Sequence, residues 1–100
     1  MELSDLVPHL GKMPNLETLR YIGNKKENTL IPTELGNLVS LKIVDLQRNR
    51  FVGTIPSELG RLRNLTSLTI REYAVLDLTC PQEVLNLNLA ELVVERPQDL

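Results

Sequence analysis

Aromatic side chains are nearly missing from this sequence: two Tyr, one Phe and no Trp in 100 residues. A single compact nucleus usually leans on such rings, each of which buries about 150–250 Å². A core of Leu, Ile and Val suits thin stacked layers better, and the length allows one small domain at most. Cysteine occurs once, as Cys80, and histidine once, as His9. One thiol closes no internal disulfide, and one Cys with one His builds no zinc site. Neither has a partner at motif spacing, so His9 is expected on the surface and Cys80 as an inert, buried or half-buried thiol. No apolar run approaches the roughly 20 residues of a bilayer span. The opening MELSDLVPHL lacks the basic-then-apolar order of a signal peptide. A net charge of −2 leaves no basic footprint for nucleic acid or an anionic membrane. Phosphate-binding Gly loops, H-E-x-x-H, paired catalytic carboxylates and protein-kinase motifs are all missing. Nothing here asks for a cofactor, a metal or an enzyme.

What is present is leucine at repeating positions. The stretch Leu41–Leu62 reads LKIVDLQRNRFVGTIPSELGRL, with Leu41, Val44, Leu46, Asn49 and Phe51 at relative positions 1, 4, 6, 9 and 11. In an extended strand Val44 and Leu46 point to one face while Ile43, Asp45 and Gln47 point to the other. Asn49 follows where the chain leaves the strand, and its amide can bond the free backbone groups of the bend. Gly53 tolerates a positive φ, and Pro56 is expected to stop a second strand from forming. One such unit cannot bury its own apolar face, so copies must flank it.

Copies are there. IPTELGNL (Ile31–Leu38) returns as IPSELGRL (Ile55–Leu62) 24 residues later. Leu16, Leu19, Tyr21 and Asn24 open a first repeat, in which the KKEN loop is expected to bulge outward because its charges cannot occupy a core site cheaply. Leu65, Leu68 and Ile70 open a third, where Tyr73 replaces the Asn and CPQEVLNL restores the second half one residue late, with Cys80 set against Pro56. Leu89, Leu92 and Val94 open a fourth. Residues 1–15 carry Leu3, Leu6, Val7, Leu10 and Met13 at helical spacing, and LGKMPNL aligns with LGNLVSL at Leu35–Leu41. The resulting division is 1–15 as the convex half of a preceding repeat acting as an N-terminal cap, repeats at 16–40, 41–64, 65–88 and 89–97, and a tail at 98–100. Four strands are expected, at Glu17–Tyr21, Lys42–Leu46, Thr66–Ile70 and Ala90–Val94. The last should be an exposed edge through which the chain self-associates.

The spacing L-x-x-L-x-L-x-x-N-x-L followed by G-x-I-P-x-x-L-G-x-L resembles the plant-type leucine-rich repeat. The resemblance covers most of the chain, but only the second repeat matches throughout. It implies an α/β solenoid, with a short parallel sheet on the concave side and loops or short helical turns on the convex side. It also implies a protein or peptide partner bound on the concave sheet, by residues flanking the two core positions of each strand. Carried over by position, the candidates are Arg20, Lys42, Ile43, Asp45, Gln47, Arg71 and Glu95. Such arrays commonly form ectodomains of receptor-like proteins, which implies an extracellular or membrane-tethered setting.

Stacking the repeats sets Glu17 beside Lys42, Arg20 beside Asp45 and Arg71 beside Glu95, with Arg48, Glu72 and Arg96 alternating in sign. On one reading these ladders only neutralise the sheet, each exposed pair contributing roughly 0–1 kcal/mol. On the other they form a charged recognition surface. A binding module and a structural fragment of a longer array, with no ligand of its own, therefore both remain. Asn64-Leu65-Thr66 is a glycosylation sequon, a triplet that also arises by chance.

Overall fold

The computed structural model describes residues 3–23, 29–71 and 79–95. The chain opens with helix α1 (Leu3–Leu10), then alternates strands and turns: β1 (Thr18–Ile22), β2 (Thr29–Leu30), a 3-10 turn (Thr33–Asn37), β3 (Ile43–Gln47), β4 (Phe51–Val52), a second 3-10 turn (Ser57–Arg61), β5 (Ser67–Arg71), the one-turn helix α2 (Gln82–Leu85) and β6 (Glu91–Glu95). Four strands form one parallel sheet in the order β1-β3-β5-β6. The turns and α2 stack behind it, so each repeat contributes one strand and one convex turn to a layered solenoid.

The register follows the repeat. Leu19, Val44, Leu68 and Leu92 share one inward rung, and Tyr21, Leu46, Ile70 and Val94 the next. Val44, Leu46, Leu68 and Ile70 are completely buried, as the alternation requires. Each strand begins one residue later than the sequence pattern indicates. Pairing enters through shared carbonyls: Glu17 O accepts from Lys42 N (2.7 Å) and Ile43 N (3.0 Å), and Lys42 O from Thr66 N (2.8 Å) and Ser67 N (3.1 Å). These residues are the hinge into the ladder, and strand ends commonly differ by a residue for this reason.

The convex turns are 3-10 because their leucines recur every three residues. Leu35, Leu38 and Leu41 are buried, as are Leu59, Leu62 and Leu65. In a 3-10 helix residues three apart eclipse one another, so a period of three lines a single inward edge. The backbone bonds match that period: Leu35 N to Pro32 O (3.1 Å), Leu38 N to Leu35 O (3.2 Å) and Leu41 N to Leu38 O (3.0 Å). Pro32 and Pro56 start these turns from extended backbone, and Pro81 does the same for α2. Pro81 is thus the counterpart of Pro56, and Cys80 that of Ile55; the alignment of Cys80 with Pro56 is corrected by one residue. The chain regains its 24-residue register by shortening the link from Leu87 to Leu89. Asn88 takes up the slack at φ 58°, in the left-handed region that Asn tolerates better than most residues.

Two further expectations change. Phe51–Val52 pairs in parallel with Thr29–Leu30 as a small second sheet, so Pro56 does not prevent a second strand. The pairing ends at Gly53 (φ 83°), upstream of that proline, where no N–H has yet been removed. At the N-terminus, Leu3 and Val7 are buried and Leu10 packs on the core edge, but Met13 is exposed and Leu6 only half-buried. The helix ends at Leu10, and Gly11 N closes on Val7 O (2.9 Å), so Met13 has left the helical face. Asn24, the KKEN loop, Tyr73, Asp77 and residues 96–100 lie outside the described residues.

Candidate functional site

The concave face is set by strand parity: whatever is not inward on β1, β3, β5 and β6 points out from the sheet. Three outward rungs result, Thr18-Ile43-Ser67-Glu91, Arg20-Asp45-Thr69-Val93 and Ile22-Gln47-Arg71-Glu95. The sequence-derived candidates Ile43, Arg20, Asp45, Gln47, Arg71 and Glu95 fall on these rungs, and Lys42 stands at the hinge before them. Arg20, Lys42, Arg71 and Glu95 are exposed. Ile43, Asp45 and Gln47 are half-buried, because β3 has a neighbour on each side about 4.8 Å away. Ile43 is therefore not the protruding apolar side chain that the alternation alone indicates. Ile22, at the edge of the third rung, is the protruding one, 63% exposed.

Two of the three ion pairs read from the register form. Lys42 Nζ lies 3.3 Å from Glu17 Oε2, and Arg71 Nε 2.9 Å from Glu95 Oε1. Both are about half exposed, so each contributes no more than roughly 0–1 kcal/mol. Arg20 and Asp45 are register neighbours without an ion pair. Asp45 Oδ1 instead accepts from Gln47 Nε2 (2.8 Å) along its own strand. Glu72 and Arg96, two rungs of the third ladder, lie outside the described residues.

The bend after β3 is fixed by Asn49, which is buried and donates from Nδ2 to the carbonyls of Tyr21 (3.0 Å) and Gln47 (2.9 Å). The flanking Arg48 and Arg50 adopt positive φ (59° and 52°), the cost of turning the chain around that amide. Sequence reasoning identified Asn49; the two strained arginines carry no signal beyond their position beside it.

Other candidates fall away from this face. A concavity of about 360 Å³ lies between α1 and the first 3-10 turn and is lined by Val7, Pro8, Pro32, Glu34 and Leu38 among others. Among the described residues its single charge is Glu34, and no set of polar groups converges there. His9 is exposed on α1. Asn64 of the sequon is exposed and donates to the Val39 carbonyl (3.2 Å). Cys80 is half-buried, and burial raises its thiol above the ordinary value. Less thiolate is then present at neutral pH, so Cys80 is expected to react with iodoacetamide more slowly than a free cysteine. Alkylation at the free-thiol rate would place Cys80 in open solvent.

Strands on one face, turns on the other and a fixed repeat between them define a solenoid of the kind that presents a sheet for recognition. Comparison with known proteins agrees. The Leucine Rich Repeat family model matches residues 40–62. Receptor-like protein 9b of Arabidopsis thaliana is 39% identical over 51 residues, which is 51% of this chain and 5% of that protein. The repeat spacing, the layered parallel sheet and these matches support a partial leucine-rich-repeat array of the plant type. Among the described residues no helix is long and apolar enough to cross a membrane.

Proposed function

We propose that the chain is a non-catalytic binding module that recognises a protein or peptide on its concave sheet. In this reading Arg20, Lys42, Ile43, Asp45, Gln47, Arg71 and Glu95 are contact residues. The observation that carries it is the second rung: Arg20 is exposed, its register neighbour Asp45 is bonded to Gln47, and apolar Ile22 and Ile43 flank it. An uncommitted guanidinium flanked by two apolar side chains is the composition of an interface anchor. The relative's name supports a receptor-like setting, outside the cell or tethered to a membrane. The segment through residue 15 serves as the N-terminal cap, with α1 lying over the first convex turn. The open edge of β6 is a self-association surface.

The test is a selection of random displayed peptides on the wild-type chain, followed by affinity measurement on Arg20→Ala and on the Ile43→Ser, Asp45→Ser double variant. Loss of one or two anchors should weaken selected peptides at least about tenfold, since each 1.4 kcal/mol is a factor of ten. Far-UV dichroism and melting midpoint should stay near wild type. Peptides that bind all three chains equally would defeat the concave-face reading and leave the structural one, which the Lys42–Glu17 and Arg71–Glu95 pairs favour.

A further inference from the structure

The convex turns stack closely because each leaves a gap for the next. A methyl group on Gly36 would overlap the backbone carbonyl of Glu58 in the following layer. One on Gly60 would stand 2.8 Å from Glu83 Cβ and 2.9 Å from its carbonyl oxygen. The same glutamate of each new turn thus seats on the glycine of the turn before. Ser57-Glu58-Leu59-Gly60 aligns with Gln82-Glu83-Val84-Leu85, each following a proline in extended backbone. In the α2 layer the glycine place is therefore taken by Leu85. A further layer at the same spacing meets a whole isobutyl group where the others meet a hydrogen atom. A second copy stacked head to tail meets the same obstacle.

The strand beside it is open. Among the described residues β6 pairs with β5 alone, which leaves one row of N–H and C=O groups free. Leu92 is 38% exposed and Leu85 48%, whereas Val44 and Leu68, the inner counterparts of Leu92, are 0% exposed. The acids that would guard this edge are drawn toward β5. Glu91 accepts from the Ser67 hydroxyl (3.3 Å) and Glu95 is bound by Arg71 (2.9 Å), both on β5. The result is an apolar, hydrogen-bonding edge that refuses a parallel neighbour carrying its own convex turn.

We infer that this edge closes a symmetric dimer: β6 of one copy pairs antiparallel with β6 of a second about a two-fold axis. Reversing the partner removes the need for a backbone turn at Leu85, and a second copy covers Leu85 and Leu92 together, which a bare peptide strand does not. Charge selects the register. Centring on Val93 sets Glu91 opposite Glu95, and like charges directly opposite are unfavourable. Centring on Leu92 sets Glu91 opposite Val93 and brings Leu92 against its own copy. The interface is isologous, so assembly stops at two. This rests on reading the β6 edge as a self-association surface.

The test uses the full chain. Sedimentation over a concentration series should show monomer and dimer with nothing larger, and Leu92→Lys should stay monomeric throughout. Leu92→Cys in a Cys80→Ser background should oxidise to a disulfide dimer. Residues directly opposite across an antiparallel pair have Cβ atoms about 4.5–5.5 Å apart, close enough for small adjustments to bridge. A wild-type chain monomeric at every concentration overturns both self-association and dimer closure. Species that grow beyond two, without a Leu92→Cys disulfide, leave self-association standing and overturn the two-fold arrangement. Peptide binding on the concave face should be unchanged in Leu92→Lys.

Discussion

Leu46→Ala is expected to lower the unfolding free energy by about 2–5 kcal/mol, read as a fall in the urea midpoint at constant slope. Leu46 is 0% exposed and holds the second inward rung between Tyr21 and Ile70. Its truncation loses transfer energy and leaves a cavity that neighbouring layers cannot close, since each is pinned by its own strand ladder. A domain of this size has of order 5–15 kcal/mol to lose in total. The change therefore removes a large fraction of the stability, and in a solenoid it uncouples the layers on either side. A midpoint equal to wild type would mean that Leu46 is not between layers.

Much of this arrangement was legible in the sequence, for one physical reason. Inward strand positions must be apolar in every layer, so Val44, Leu46, Leu68 and Ile70 repeat visibly and their burial follows. The three-residue spacing of Leu35, Leu38 and Leu41 holds the 3-10 geometry, although only the convex turn was read from it. The small second sheet was not legible, because a two-residue strand such as Phe51–Val52 has no period to display. The charge ladders were legible as neighbours but not as bonds. Register set Arg20 beside Asp45, yet a closer donor on the same strand, Gln47, takes the carboxylate. Likewise parity sends Ile43 outward, while crowding between two flanking strands half-buries it. Of the candidate surface, then, position was readable and side-chain commitment was not.

Gly36→Ala is the second large effect, and two opposing terms decide it. Replacing glycine by alanine where the backbone permits it stabilises by about 0.4–1 kcal/mol through the unfolded chain. Forcing a methyl group into a filled site costs about 1–3 kcal/mol, occasionally more. At Gly36 the methyl meets the backbone of Glu58, which cannot rotate aside as a side chain does. The two turns must separate, and the Leu35, Leu38 and Leu59 contacts beneath them loosen. The steric term should win, giving a net loss on the order of 1–2 kcal/mol. Gly11→Ala is the matched control: its new methyl would find its nearest neighbours at 3.5 and 3.6 Å, ordinary contact distances. It should therefore melt at or slightly above wild type. If both variants melt together, the close seating of one convex turn on the next is wrong, and with it the steric argument made for Leu85.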